Sequence, residues 1–147
     1  MIWVHHSQPG YEALVGFITQ RVWGDLRQMT LGTVAAVAIG GKVVSAVLFH
    51  NWDKGAGVIE VSAASDSKRW LSRAVLRELF GYAFNELRCQ AVVARIDPAN
   101  VSLARIFTAY GFKRYDLPRM RGRDKGEAVL ILGDDDWRSN GFHKEYA

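Results

Sequence analysis

A chain of 147 residues with 49% hydrophobic and 23% charged residues has enough apolar content to build one ordinary domain with a sizeable core, which argues against disorder. Its longest apolar run, residues 34–41, is far too short for a bilayer, and no basic segment before an apolar stretch marks a secretory leader, so no membrane span is expected. The single cysteine, Cys89, excludes an internal disulfide and suits a reducing, cytoplasmic setting, while a net charge of +4 and a pI near 9.4 favour an anionic partner.

The turn signal Ser7-Gln8-Pro9-Gly10 leads into a helix that carries Tyr11, Leu14, Val15, Ile18 and Val22 on one face and ends at Gly24. A second short helical turn is expected within residues 25–32. Residues 33–39 and 43–52 are β-rich runs joined by Gly40-Gly41-Lys42, and paired glycines between such runs signal a hairpin. The turn Asp53-Lys54-Gly55-Ala56-Gly57 leads to a strand over 58–64, which completes an antiparallel meander.

An amphipathic helix follows, running after Ser67 to about Leu87 with Leu71, Val75, Leu79, Tyr82 and Ala83 on one face. Residues 91–96 are almost wholly apolar, as a strand covered on both faces should be, and Asp97-Pro98 ends them. Asn100 fits a helix N-cap, and Leu103, Ile106, Phe107 and Tyr110 repeat at helical spacing up to a left-handed Gly111. Strands are expected over 112–115 and 127–132, a basic polar loop over 117–126, and a peripheral tail over 133–147. No repeat or long linker divides the chain, so residues 1–147 read as a single domain.

The stretch from Val58 to Leu76 carries the clearest chemical signal. A helix start fed by a strand presents unpaired N–H groups and the positive end of the helix dipole. Lys68, Arg69 and Arg73 surround that start, so a phosphate-bearing ligand is favoured over plain solvated charge. His5-His6 is too terminal for a metal site and His50 and His143 complete no motif, so no metal is expected. Cys89 reads as a small buried residue.

The order of elements resembles the GNAT N-acetyltransferase superfamily over nearly the whole chain. Two stretches carry the resemblance. The segment from Ser67 to Arg73 is similar to the family's pyrophosphate loop, Q/R-x-x-G-x-G/A, with Trp70 and Ser72 at the glycine positions. The stretch Asn100-x-x-x-Ala104-x-x-Phe107-x-x-x-Gly111-Phe112 resembles the family's Asn-helix-Gly-Phe signature and is the more specific of the two.

The resemblance implies an α/β (α+β) fold: a mixed central sheet, an antiparallel meander followed by helix-strand-helix, and helices on both faces. It also implies acetyl-CoA as co-substrate, a primary amine acceptor (small molecule or peptide) and no metal. The cofactor would touch Ser62, Ala63, Ala64, Lys68, Arg69, Trp70, Leu71, Ser72, Arg73, Asn100 and Phe107. Glu60 is the candidate base, against its reading as the exposed half of an alternating strand. Phe107 stands where many members carry a tyrosine that protonates the departing thiolate, and Tyr110 is the substitute acid, against core packing. Trp52, Asp53 and the arginines from 119 to 123 are candidates to border the acceptor.

The leading expectation is acetyl transfer to an amine by direct attack in a ternary complex. The alternative is a catalytically weak GNAT-like protein that binds acyl-CoA and regulates. Nucleic acid is disfavoured, because the basic residues are scattered and Asp134-Asp135-Asp136 oppose it. A homodimer through Trp137, Phe142 and Tyr146 is a further expectation.

Overall fold

A computed structural model describes residues 1–143. One seven-stranded sheet runs through them in the order β1-β2-β3-β4-β5-β7-β6. Its strands are β1 (Ile2–His5), β2 (Thr33–Ile39), β3 (Lys42–Asp53), β4 (Val58–Ser65), β5 (Ala91–Ile96), β6 (Lys113–Gly122) and β7 (Lys125–Gly133). Neighbours pair antiparallel except β4 and β5, which are parallel. A parallel pair needs a crossover, and here it is helix α2 (Arg73–Gly81) with its π-helical extension over Tyr82–Glu86. Helix α1 (Tyr11–Trp23) follows β1, α3 (Val101–Tyr110) joins β5 to β6, and α4 (Asp134–Ser139) follows β7.

Strand alternation sends successive side chains to opposite faces. Val34, Ala46 and Leu48 pack with Tyr11, Val15 and Ile18 of α1 on one face. Ala35, Val47, Phe49, Ile59 and Val61 pack with Leu76, Leu79 and Phe80 of α2 and Ala104 and Phe107 of α3 on the other. The expected mixed sheet with helices on both faces is therefore present, and the meander and the Asn100 cap fall where the sequence puts them. Asn100 Oδ1 accepts from Leu103 N at 3.3 Å. Gly111, at φ 128, closes α3 where a side chain would be strained. Cys89 is buried, as expected.

Four expectations need correction. Residues 26–32 hold no helical turn; Thr30 and Gly32 lie against His50, Asn51 and Phe49 of β3. Gly32 makes this possible, because a Cβ there would stand 1.8 Å from the Phe49 carbonyl oxygen. Helix α2 begins later than expected, at Arg73, with Ser72 Oγ accepting from Val75 N at 3.2 Å. The basic stretch over 117–126 is the facing ends of the β6–β7 hairpin rather than a loop. The segment from Gly133 is not merely peripheral: α4 buries Trp137 to 3% exposure, and its Nε1 donates to the Tyr110 hydroxyl at 2.8 Å. Tyr146 of the expected dimer contact lies outside the described residues. Strand β1 was not foreseen.

Candidate functional site

Strands β4 and β5 pair only from Val58–Ala91 to Val61–Ala94, although β4 continues to Ser65 and β5 to Ile96. Beyond that point they part. A cleft of about 270 Å³ opens there, walled by Val61 to Ser65 of β4, Ala94 to Ile96 of β5, Trp70 and Leu71 before α2, and Asn100, Leu103 and Phe107. Most of those walls are apolar. Arg21 of α1 reaches its rim and holds Asp66 through Nε–Oδ1 at 2.7 Å and Nη2–Oδ2 at 2.8 Å. That guanidinium holds the Asp66 carboxyl below the usual carboxylate range.

A second, polar cleft of about 780 Å³ lies on the α1 side, between residues 27–30, β3, β4 and the β6–β7 hairpin. Ser62, Arg95, Asp97 and Arg121 line both clefts, so the two meet there. Glu127 of β7, 3% exposed, receives both guanidiniums. Arg95 donates to it, and Arg121 Nε stands 3.3 Å from Oε2 as an ion pair without a directed hydrogen bond. Two cations share this one buried carboxylate, and Glu60 of the polar cleft acts on Arg95 as a second negative charge. Lys125 Nζ lies 3.1 Å from Asp97 Oδ2 and balances it.

The same junction holds a chain of polar side chains. Ser62 Oγ is 2.9 Å from His50 Nε2, and His50 Nδ1 is 3.0 Å from Thr30 Oγ1. Thr30 Oγ1 donates to Asn51 Oδ1 at 2.7 Å, and Asn51 Nδ2 donates to Glu60 Oε1 at 3.2 Å. Asn51 can do this because β3 bulges between His50 and Asp53, with Asn51 itself at φ 52. His50 is 2% exposed, and burial pushes its pKa below the usual value; Glu60 raises it and Arg95 lowers it further. The imidazole is therefore neutral near pH 7.

Of the residues named from sequence, Ser62, Ala63, Ala64, Trp70, Leu71, Asn100 and Phe107 line the apolar cleft together, and Glu60 lines the polar one. Ser72 caps α2. Lys68, Arg69 and Arg73 are outside the cleft walls. Arg73 instead donates to Gly141 O at 3.2 Å and sits over the Phe142 ring. Tyr110 lines neither cleft: it is fully buried, its hydroxyl held by Trp137, and burial pushes its pKa up. It is a core residue.

His50, Thr30, Asn51, Arg95 and Glu127 were missed as site residues, while Arg121, one of the arginines named from sequence as bordering the acceptor, lines both clefts. One signal could have found His50: counting back across the 53–57 turn sets it opposite Glu60, as the register has it. No group of His, Cys, Asp and Glu that could hold a metal occurs among the described residues, and none of their helices is long and apolar enough to cross a membrane.

No family model and no curated protein sequence matches the chain. Solved structures do. A presumed acetyltransferase from T. thermophilus is 20% identical with a TM-score of 0.62, over 72% of this chain and 61% of that one. A GCN5-related N-acetyltransferase from Brucella melitensis is 19% identical with a TM-score of 0.60, over 74% of this chain and 53% of that one. A spermidine N-acetyltransferase mutant from Vibrio cholerae is 13% identical with a TM-score of 0.62, over 75% of this chain and 70% of that one. The chain thus spans less than two thirds of the first two proteins. At these identities the likeness is one of fold, and the fold is that of GNAT-type acetyltransferases.

Proposed function

We propose that this chain is an N-acetyltransferase that moves an acetyl group from acetyl-CoA to a primary amine, by direct attack within a ternary complex. One observation supports this most: the parted β4–β5 pair forms an apolar cleft that opens at Ser62 into a separate polar cleft. Such a pair of clefts suits a thioester arm arriving from one side and an amine from the other. The parting leaves β4 without a β5 partner from Ser62 onward, and this edge suits the amides of a pantetheine arm. Trp70, Leu71 and Phe107 would pack on the arm and Asn100 would contact it, while the start of α2 at Ser72 faces the pyrophosphate. Lys68 and Arg69 then act at longer range through charge alone.

The acceptor amine must lose a proton before attack. Glu60, within the polar cleft and steadied by Asn51, is the group we assign to receive it. The guanidiniums of Arg95 and Arg121, which reach both clefts, would favour the developing oxyanion. Phe107 cannot protonate the departing thiolate. A thiol with pKa near 8.5 leaves as thiolate at pH 7 for about 2 kcal/mol, so the step proceeds without that acid. The polar cleft mixes carboxylates with guanidiniums, which suits one ammonium beside Glu60 better than a polycation. The compartment we expect is the cytoplasm.

A second reading, a weak or inactive acyl-CoA-binding protein, draws on Trp70 and Ser72 at the family's glycine positions and on Phe107, with Trp70 and Phe107 in the cleft wall. Calorimetric titration with acetyl-CoA, CoA and ATP, followed by turnover on a panel of amines, separates the two. Micromolar acetyl-CoA binding with acetylated product supports the transferase. Tight binding without product supports the second reading, and no binding of either CoA species removes both.

A further inference from the structure

Donors and acceptors around His50 can be assigned one by one. Thr30 has a single hydroxyl proton and directs it to Asn51 Oδ1, so toward His50 its oxygen can only accept. His50 therefore carries its proton on Nδ1. A neutral imidazole protonated at Nδ1 presents a bare lone pair at Nε2. The group facing that lone pair at hydrogen-bond distance is Ser62 Oγ, which must donate to it. Glu60 Oε2, 3.5 Å from the same nitrogen, has no proton to offer when ionised and would stabilise an imidazolium that formed there.

This is the arrangement that turns a hydroxyl into a nucleophile: serine on an imidazole base, with the base oriented by a third group. Two further facts give it a place to act. Ser62 lines both clefts, at the point where an acyl group carried in the apolar one would meet the polar one. The same junction carries the guanidiniums of Arg95 and Arg121.

We propose that Ser62, with His50 as its base, is an acyl-accepting nucleophile that gives the chain a thioester hydrolase activity besides amine transfer. Acetyl-CoA as the natural donor rests on the proposed function; the nucleophile itself does not. Ser62 Oγ bonds to the thioester carbonyl carbon while its proton passes to His50 Nε2. The tetrahedral adduct collapses, the C–S bond breaks, and the thiolate takes the proton from the imidazolium as it leaves. Water then attacks the Ser62 ester with His50 as base, and acetate and the free hydroxyl are restored.

The test uses two donors. With acetyl-CoA and no amine, the wild-type protein should release CoA, and acid-quenched samples should carry an acetyl ester on the peptide that contains Ser62. With p-nitrophenyl acetate, which needs no CoA site, it should give a burst of nitrophenol. Ser62→Ala should lower both rates by at least about a hundredfold, His50→Gln should lower them comparably, and Ser62→Cys should retain an acyl adduct. Circular dichroism and thermal melting of each variant check that the fold is kept. If acetyl-CoA fails to bind while the nitrophenol burst and the Ser62 ester persist, the proposed function falls and this inference stands. If neither donor labels Ser62, or if release is unchanged in folded Ser62→Ala, Ser62 is only a satisfied hydroxyl and the inference is overturned.

Discussion

The two clefts are built from different kinds of residue, and they respond to different kinds of damage. The apolar cleft exists because β4 and β5 stop pairing after Val61 and Ala94, and its walls are the ordinary core side chains of α2 and α3. The polar cleft exists because side chains far apart in sequence satisfy one another: Thr30, His50, Asn51, Glu60 and Ser62 in one chain, Arg95, Arg121 and Glu127 in another. Apolar packing tolerates repacking. A buried polar network does not, because removing one member strands its partner.

The sharpest way to break this contrast is Glu127→Ala. Removal of the buried carboxylate takes from Arg95 and Arg121 the counter-charge they share, leaving Glu60 as the more distant one for Arg95. Because Arg95 is 44% exposed, the loss should fall at the low end for a buried pair, about 3 kcal/mol by chemical denaturation. A loss under about 1 kcal/mol would mean that solvent already screens the pair and that the polar cleft is no more brittle than the apolar one.

Phe107→Tyr probes the apolar side. The new hydroxyl would enter the wall of the cleft and could protonate the thiolate, so amine acetylation should rise by no more than about thirtyfold at pH 7, with little change in stability. A fall in turnover, measured under saturating acetyl-CoA, would mean that the hydroxyl blocks the acyl group.

Acid should damage the polar side selectively. His50 is neutral in the folded protein, while an unfolded histidine takes up a proton below about pH 6.5. Below that pH the unfolded chain binds more protons, so stability falls as pH drops and keeps falling until His50 itself protonates. The groups facing the ring oppose each other, Glu60 favouring and Arg95 disfavouring the charge, with burial the largest influence. The contribution is at most about 1.4 kcal/mol per pH unit. His50→Gln should flatten the thermal-melting profile between about pH 6.5 and 5 by roughly that slope; an unchanged profile would assign the acid sensitivity elsewhere.

The smallest expected effect is Arg73→Glu. Its guanidinium lies on Gly141 O and Phe142, outside either cleft, so even this two-unit change of charge should alter acetyl-CoA affinity by less than about tenfold, the scale of screened surface charge. A much larger loss in calorimetry would mean that Arg73 leaves Phe142 to reach the cofactor.

The same contrast explains what could be read from sequence. Period-two and helical spacing, the Gly40-Gly41 turn and the Asn100 cap are local signals, so they located most of the sheet and the helices, while the residues of the apolar wall came from the resemblance to the GNAT superfamily. Apart from Glu60 and Arg121, which the resemblance pointed to, the residues of the polar cleft give no local signal. Thr30 sits in a segment that looks like a helical turn but instead lies against β3, where Gly32 passes close to the Phe49 carbonyl. Arg121 sits in β6, whose residues are nearly all exposed at the sheet edge and include Pro118 and several charges. Edge strands carry such residues to resist further pairing, and that makes them look like loops. Arg73 misled for a related reason: its charge and its place at a helix start are visible in sequence, but its partner, the segment around Gly141 and Phe142, is not.

The central claim is that an acyl donor lies where β4 and β5 part and presents its thioester at Ser62. Amide hydrogen exchange with and without acetyl-CoA tests it directly. Slowed exchange is expected to concentrate in residues 62–65, 94–96 and 70–75, with β1, β2 and β6 unchanged. Binding that protects a different region and leaves residues 62–65 untouched would contradict it.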